Sequence, residues 1–257
     1  MYINTHSKDG LITSMLEVLN IRNSELDELL ETCYEKFQKN HHVFILDNQY
    51  DYFFDYVKQH LCKKIDQVLF THISRRLDNS NISCGLKEVL SQESSLKLFL
   101  EKHGITFKCA QNIQLLIDGQ VYVYDEDKFV ERYLKQRLTL DYDLKGYIFK
   151  DGVDSELYED VPDIINYLDN MVEISDDYIE NSTCFQFVYV TPIENIYFEG
   201  YDELDFQEKQ YHIVTKALQR LYFYRYDESF IQEEENFIGL NEGCILDEKQ
   251  LIEKKRV

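Results

Sequence analysis

Proline and glycine are scarce in this sequence, and their scarcity excludes several kinds of segment. The 257-residue chain holds 2 prolines and 9 glycines. No linker rich in either residue is visible, and glycine is too sparse for loops that cradle phosphate groups. The nucleotide-binding patterns GxxxxGK[ST] and GxGxxG are absent, as are the GxSxG pattern of hydrolases and the HExxH pattern of zinc proteases.

The cysteines lie too far apart to indicate a metal site. The six are Cys33, Cys62, Cys84, Cys109, Cys184 and Cys244. Without a CxxC or a Cys/His pair at zinc spacing, we expect free thiols in a reducing compartment and no bound metal. Asp141 with Asp143 lacks a third ligand and is interpreted as a turn, and His41–His42 as a segment boundary.

Long apolar runs are missing as well. Phe185–Val190, interrupted by Gln186, is among the longest, and it is far shorter than the roughly 20 residues of a membrane-spanning helix. The opening stretch MYINTHSKDGLITS has no basic segment followed by an apolar one. We therefore expect no membrane segment, no signal peptide and a cytoplasmic location.

Positive charge is the next deficit. The chain has 27 lysines and arginines against 48 acidic residues, a formal net charge of -21. Such a surface repels nucleic-acid phosphate unless its few cations are focused on one face, so direct nucleic-acid binding is disfavoured. The acidity fits either an imitation of phosphate towards a basic protein partner or simple solubility.

What the sequence has is ample core material. Hydrophobic residues make up 44% and aromatic residues 14% of the chain. Residues 1–64 are predicted to be a helical N-terminal region, because NSELDELLETCYEKF and NQYDYFFDYVKQHL carry apolar residues at helical spacing.

From residue 65 the pattern changes to strands interleaved with helices. In IQLLIDGQVYVY, two strand-forming arms flank Asp118–Gly119, a dipeptide preferred in hairpin turns. Gly104 is predicted to end a helix in the left-handed conformation, and Asp125 to cap a later one. We predict an α+β fold with a mostly antiparallel, split sheet over residues 65–240, followed by a charged tail over 241–257.

One stretch carries candidate chemistry. In VLFTHISRRLDNSNISCGLKEVL, a buried-looking strand is predicted to end at His72, and Arg75 and Arg76 follow. A histidine held by a core strand can point into a cleft, and guanidinium groups suit phosphate or pyrophosphate. On the residues alone, a core histidine with two surface arginines is the favoured interpretation.

The segment LFTHISRRLDNSNISCGLKEVL resembles the opening motif of proteins with the ADP-ribosyltransferase fold. In that motif a short apolar strand ends in a histidine that binds NAD, and a Gly-Leu pair follows at the end of the first helix. Gly85 stands 13 positions after His72, which matches the motif. The resemblance implies NAD as cofactor, with His72 on a ribose hydroxyl and Arg75 on the pyrophosphate.

The chain departs from this family at a second motif. Many members carry a catalytic glutamate at the start of a strand of the form EYxVYDP. In the nearest stretch here, FQFVYVTPIENIYF, the matching position is Gln186. A glutamine can bind a ligand but cannot act as a base or carry charge. Glu194 or Glu199 would then supply the carboxylate that stabilises positive charge at the anomeric carbon.

Two functions follow from these observations. The first is an ADP-ribosyltransferase-like protein that binds NAD or a related nucleotide and transfers a group to a protein or nucleic acid. The RNA 2'-phosphotransferase branch, in which His72, Arg75 and Arg137 would contact phosphate and ribose, is an alternative within it. The second is a non-enzymatic acidic protein, an inhibitor or antitoxin-like binder, with a basic protein partner.

Three short stretches add a setting. FTHISRRL, FLEKHGITFK and LKGYIFKDG resemble uncharacterised proteins of low-GC Gram-positive bacteria and their mobile elements. That similarity implies a phage-related or defence-related context.

Overall fold

Groups of helices and groups of strands follow one another along the chain. The computed structural model describes residues 1–38, 45–110, 112–140, 143–152, 161–198, 200–201, 203–226, 228, 231 and 236–257. The helices are α1 (Lys8–Leu19), α2 (Asn23–Gln38), α3 (Ile45–His60), α4 (Leu86–Ser91), α5 (Ser95–Lys102), α6 (Phe129–Thr139), α7 (Asp163–Asp169), α8 (Ser175–Asn181) and α9 (Phe206–Tyr226). Short 3-10 helices span Lys150–Gly152 and Ile193–Asn195.

The strands form three sheets. They are β1 (Gln67–Arg76), β2 (Ser83–Cys84), β3 (Ile105–Cys109), β4 (Ile113–Ile117), β5 (Gln120–Val121), β6 (Lys145–Tyr147), β7 (Thr183–Pro192), β8 (Ile196–Phe198), β9 (Phe237–Leu240), β10 (Ile245–Leu246) and β11 (Leu251–Arg256). Six form one sheet in the order β11-β7-β1-β6-β9-β8, β10 pairs with β2, and β3-β4-β5 form a meander. The pairings of β1 with β6 and of β11 with β7 are antiparallel. The predicted α+β class is confirmed.

The chain divides into two compact units, each built from three segments. The first unit comprises Met1–Thr71, Tyr147–Asp154 and Val190–Ile238, and the second comprises His72–Gly146, Ser155–Tyr189 and Gly239–Val257. The predicted boundaries after residues 64 and 240 stay predictions.

The first unit is built on α9. This helix packs against α1, α2 and α3, and α2 also packs against α3. The predicted apolar face of α2 is buried at Leu26, Leu29, Leu30 and Cys33. Burying such a face against a neighbouring helix stabilises it more than helical propensity does.

In the second unit, helices cover the β3-β4-β5 sheet. The shared core holds Leu86, Leu90, Phe99, Leu100, Ile105, Ile113, Leu115, Leu134, Leu138, Ile164, Ile165, Leu168, Ile174 and Tyr178. The predicted hairpin is confirmed, because β4 pairs antiparallel with β5 and its turn residues Asp118 and Gly119 have φ of 49° and 78°. Gly104 has φ of 75° and ends the α5 segment as predicted.

The predicted cap of α6 is wrong. The helix begins at Phe129, and Asp125 lies too far upstream to accept from its first turn. Instead the backbone N–H of Asp125 donates to Glu131 Oε2 at 2.7 Å. The carboxylate of Glu131 thus anchors the incoming chain, and this hydrogen bond helps to hold the pKa of Glu131 below its ordinary value, after the larger contribution of Lys128.

Candidate functional site

His72 lies within a strand and not at its end. β1 continues four residues beyond His72, to Arg76. Residues 68–71 are buried and residues 72–76 are half-buried, so the strand passes from core to partial exposure at the histidine. A loop and the short strand β2 follow, and Gly85 then caps the start of α4. The Gly-Leu pair therefore opens a helix here, whereas the resemblance implies that it closes one.

The His72 ring is held by the backbone. Its Nδ1 lies 2.9 Å from the carbonyl oxygen of Lys145. Because a carbonyl oxygen only accepts, Nδ1 carries the proton and Nε2 is the nitrogen with the lone pair. Burial, with a smaller contribution from the positive Arg76, lowers the pKa of His72 to about 3. The neutral ring suits hydrogen bonding to a hydroxyl group, and at neutral pH it is a weak base.

Arg76 is occupied by its own loop. Its Nη1 donates to the carbonyl oxygen of Ser80 at 2.9 Å, and its Nη2 donates to Ser83 Oγ. The guanidinium carbon lies 4.1 Å from the centroid of the Phe187 ring. A guanidinium that stacks on an aromatic ring and bonds carbonyl groups at once is held in one orientation. Arg76 thus holds the loop of residues 77–83 against β7.

Lys254 of β11 bonds the same loop. Its Nζ donates to the carbonyl oxygen of Asn79 at 2.9 Å and to Asn81 Oδ1 at 3.0 Å. It also lies 4.3 Å from the centroid of the Phe185 ring. Burial and the neighbouring Arg76 lower the pKa of Lys254.

The alternation of β1 separates two of the predicted ligands. Neighbouring residues of a strand point to opposite faces of a sheet. Arg76 contacts Phe187, so His72, four positions earlier, lies on that face, and Arg75 lies on the opposite face. On β7, Gln186 alternates with Phe187 and shares the face of Arg75. The strand geometry therefore groups Arg75 with Gln186 and separates both from His72.

Arg75 packs against α8. Its carbonyl oxygen accepts from the hydroxyl of Tyr178 at 2.7 Å, and its Nη1 lies 3.5 Å from Ser182 Oγ. Burial raises the pKa of Tyr178. Gln186 is 4% exposed and pairs with Lys255 in the β7–β11 ladder.

The other predicted residues are spread out. Arg137 lies in the last turn of α6 in the second unit and is half-buried. Glu194 is exposed in the 3-10 helix Ile193–Asn195 of the first unit. Glu199 lies outside the described residues. The assignment of a carboxylate to the His72 site stays a prediction.

The described part of the chain has neither a clustered metal site nor a helix suited to cross a membrane. That part holds no group of three or more His, Cys, Asp or Glu side chains placed to bind a metal ion. His41, His42 and Asp141 lie outside it. Among its helices, none combines the length and apolar composition that crossing a membrane requires.

A groove in the first unit was not predicted. It lies between α2 and α3, has a volume of about 420 Å³, and is lined by Lys36, Phe37, Asn48, Asp51, Tyr52, Asp55, Tyr56 and Gln59. In the sequence, the groove is marked by two pairs of identical residues four positions apart on α3, Asp51 and Asp55, and Tyr52 and Tyr56. Residues at this spacing lie on the same side of a helix. This pattern lies beside the apolar stripe that predicts the helix.

A buried histidine in α9 was missed as well. His212 is 2% exposed, and its Nδ1 lies 2.6 Å from the hydroxyl of Tyr50. The rings of Phe198 and Tyr201 each lie 4.3 Å from its ring centroid. Burial, followed by Lys216, lowers the pKa of His212 to about 3. No sequence motif marks this histidine, since its partners are distant in the chain.

These arrangements can do different chemistry. The neutral ring of His72 can accept a hydrogen bond from a ligand, and the groove combines aromatic faces with carboxylates, which suits a cation.

Comparison of the chain with protein-family models, with curated proteins and with solved structures finds no match.

Proposed function

We propose that this chain is a non-enzymatic interaction protein that binds a basic protein partner through α2 and α3. The observation that carries the proposal is the charge of these two helices. α2 holds five acidic side chains and one lysine, and α3 holds three aspartates and one lysine. The two helices pack against each other, so their charges act on one surface of the first unit.

Five of these carboxylates form what we call the acidic face: Glu28, Glu31 and Glu35 of α2, with Asp51 and Asp55 of α3. All five side chains are exposed. On α2 the three glutamates follow at i, i+3 and i+7, which places them along one side of the helix. Like charges in one row weaken a helix slightly, and a cationic partner relieves that repulsion.

The net charge supports the same function at longer range. A formal charge of -21 attracts a basic protein before contact and raises the association rate. The acidic face then supplies the local contacts that hold the partner at α2 and α3 and not elsewhere on the protein surface. Binding of this kind weakens steeply when salt screens the charges.

The test is a binding measurement with a defined basic probe. A peptide in which lysine alternates with alanine is titrated into the purified chain at about 0.05 M and about 0.5 M NaCl. We expect the triple variant Glu28→Gln/Glu31→Gln/Glu35→Gln to lose about tenfold in affinity at the lower salt concentration.

A matched control separates the acidic face from net charge. The triple variant Glu93→Gln/Glu173→Gln/Glu180→Gln removes the same charge from exposed positions of the second unit. We expect this control to lose about twofold or less. Equal losses in the two triple variants, or binding that salt leaves unchanged, would overturn the proposal.

A second candidate is the binding of NAD or an ADP-ribose-like group by the second unit. The observation that favours it is the fixed tautomer of His72, whose Nδ1–H donates to Lys145. A neutral imidazole, which both donates and accepts hydrogen bonds, matches a ribose hydroxyl. Arg75 and Gln186 lie on the opposite face of the sheet and do not share a site with His72. Transfer to an acceptor would further require a carboxylate such as Glu194 or Glu199. The defence-related setting stays a prediction.

The melting temperatures of wild-type protein and of His72→Ala, each with and without NAD, test this second candidate. Wild-type protein is expected to melt at a higher temperature with NAD, and the variant is expected to lose that increase. Release of nicotinamide by wild type alone would add catalysis to binding. A melting temperature that NAD leaves unchanged in both proteins, with no nicotinamide released, excludes this candidate.

A further inference from the structure

The groove between α2 and α3 has the composition of a cation site. Phe37, Tyr52 and Tyr56 contribute aromatic rings, and Asp51 and Asp55 contribute carboxylates one helical turn apart. The rings of Phe37 and Tyr52 meet edge to face with centroids 6.1 Å apart. Aromatic faces attract cations, and nearby carboxylates add to that attraction.

The tyrosines of the groove remain uncharged near neutral pH. Burial, followed by Cys33 and Tyr56, raises the pKa of Tyr52. Burial and the carboxylate of Glu25 raise the pKa of Tyr56. A neutral phenol keeps both its aromatic face and its hydroxyl donor, so the negative charge of the groove comes from the aspartates.

The chain already places one of its own ammonium groups on these rings. Nζ of Lys36 lies 4.9 Å from the centroid of Tyr52 and 5.3 Å from that of Phe37. Both distances fall within the range of a cation–π interaction. Lys36 is exposed, and its side chain is long and flexible. It therefore shows which chemical group the rings accept without filling the groove permanently.

The geometry points to the groove as the binding site for a lysine side chain of the basic partner, which replaces Lys36 on the rings of Tyr52 and Phe37. This inference rests on the proposed function and names the partner residue that the acidic face recognises. The incoming ammonium meets the two aromatic faces and the carboxylates of Asp51 and Asp55. Lys36 competes for the same position, so its presence lowers the affinity of the groove for the partner's lysine.

Lys36→Met is the first test. The variant keeps an apolar side chain of similar length and removes the competing ammonium, and we expect the alternating lysine–alanine peptide to bind about fivefold more tightly. Lys58→Met is the matched control. Lys58 lies on α3 with its Nζ 5.2 Å from the Phe54 ring, outside the residues that line the groove. Lys58→Met removes the same charge as Lys36→Met, so its smaller gain in peptide affinity measures the general electrostatic effect.

Tyr52→Leu and a small probe complete the test. Tyr52→Leu removes one aromatic face, and we expect about fivefold weaker binding of the peptide, with circular dichroism confirming the fold.

Nα-acetyl-lysine methylamide is titrated into wild-type protein with isotope-labelled tyrosine rings. Nα-acetyl-norleucine methylamide has a similar stem without the ammonium group, and it is the control. Only the lysine compound is expected to shift the ring signals of Tyr52 and Tyr56.

The outcomes separate the two proposals. Equal effects of Lys36→Met and Lys58→Met, with unchanged binding by Tyr52→Leu, overturn the groove site even where the acidic face binds the peptide. Ring shifts with the lysine compound, but no peptide affinity, support the groove and contradict the proposed partner. Ring signals that neither compound shifts, or that both shift equally, overturn recognition of the ammonium group.

Discussion

Two histidines are kept neutral by their surroundings. His72 and His212 each have a pKa lowered from 6.5 to about 3, with burial as the largest cause. Each also uses one ring nitrogen in a hydrogen bond, His72 with Lys145 and His212 with Tyr50. A protonated ring would carry charge into a poorly solvated position, so protonation opposes folding at both sites.

We expect the free energy of unfolding to fall as the pH falls from 6.5. Between pH 6.5 and about 3 the unfolded chain binds a proton at each of these histidines, and the folded chain does not. Above that range both states are unprotonated, and the contribution is constant. The slope is up to about 1.4 kcal/mol per pH unit for each histidine. Urea unfolding at several pH values between about 8 and 5 measures it.

His212→Gln isolates one of the two contributions. The variant is expected to unfold with a shallower pH dependence than wild type, whatever its stability at neutral pH. His60→Gln is the control, because His60 is exposed at the end of α3. A wild-type slope in His212→Gln, or a flattened one in His60→Gln, would contradict the assignment.

At the scale of elements, the loop of residues 77–83 shows how cations can organise a segment without proline or glycine. Arg76 bonds the loop at Ser80 and Ser83, and Lys254 bonds it at Asn79 and Asn81. Tyr189 also donates to the carbonyl oxygen of Asn81 at 2.8 Å. Side-chain donors thus satisfy carbonyl groups that have no partner in a regular ladder.

Arg76→Lys is expected to lower the free energy of unfolding by about 1–3 kcal/mol. Lysine keeps the charge but lacks the planar fork that reaches Ser80 and Ser83 together. The measurements are the urea midpoint and the amide hydrogen exchange of residues 77–83, which should speed up. Arg132→Lys on the exposed side of α6 is the control. Equal midpoint shifts in both variants would show that the loop contacts contribute little.

Elements were predictable where the signal was local. The turn at Asp118–Gly119 and the left-handed Gly104 follow from backbone preferences of single residues, and both were confirmed. The cap at Asp125 was wrong, because the choice between Asp125 and Glu131 depends on where α6 begins. Helix starts are decided by competing hydrogen bonds that differ little in energy.

For the whole molecule, charge opposes folding and favours binding. A formal charge of -21 produces self-repulsion that grows as the chain becomes compact. Several ion pairs in the described residues join exposed side chains, such as Lys63 with Glu17 and Arg22 with Glu25. Exposed ion pairs contribute little to the free energy of unfolding, so screening them with salt lowers that free energy little.

Salt is therefore expected to stabilise the fold while it weakens peptide binding. Raising NaCl from about 0.02 M to about 0.5 M should increase the free energy of unfolding on the order of 1 kcal/mol. Urea unfolding at the two salt concentrations measures this change. The triple variant Glu28→Gln/Glu31→Gln/Glu35→Gln should gain less from salt, since part of the repulsion is already removed. A decrease in stability with salt would show that specific ion pairs dominate instead.

The sequence by itself determined the α+β class, the hairpin and the excess of negative charge, because these depend on periodicity, turn chemistry and composition. Only the tertiary structure decided that His212 and Arg220 are buried. Arg220 is 0% exposed, 4.4 Å from the Phe149 ring centroid, and donates to the carbonyl of Ile231. In the sequence both look like polar positions of an amphipathic helix. Their burial depends on partners distant in the chain, and the α2–α3 groove likewise exists only once two helices pack together.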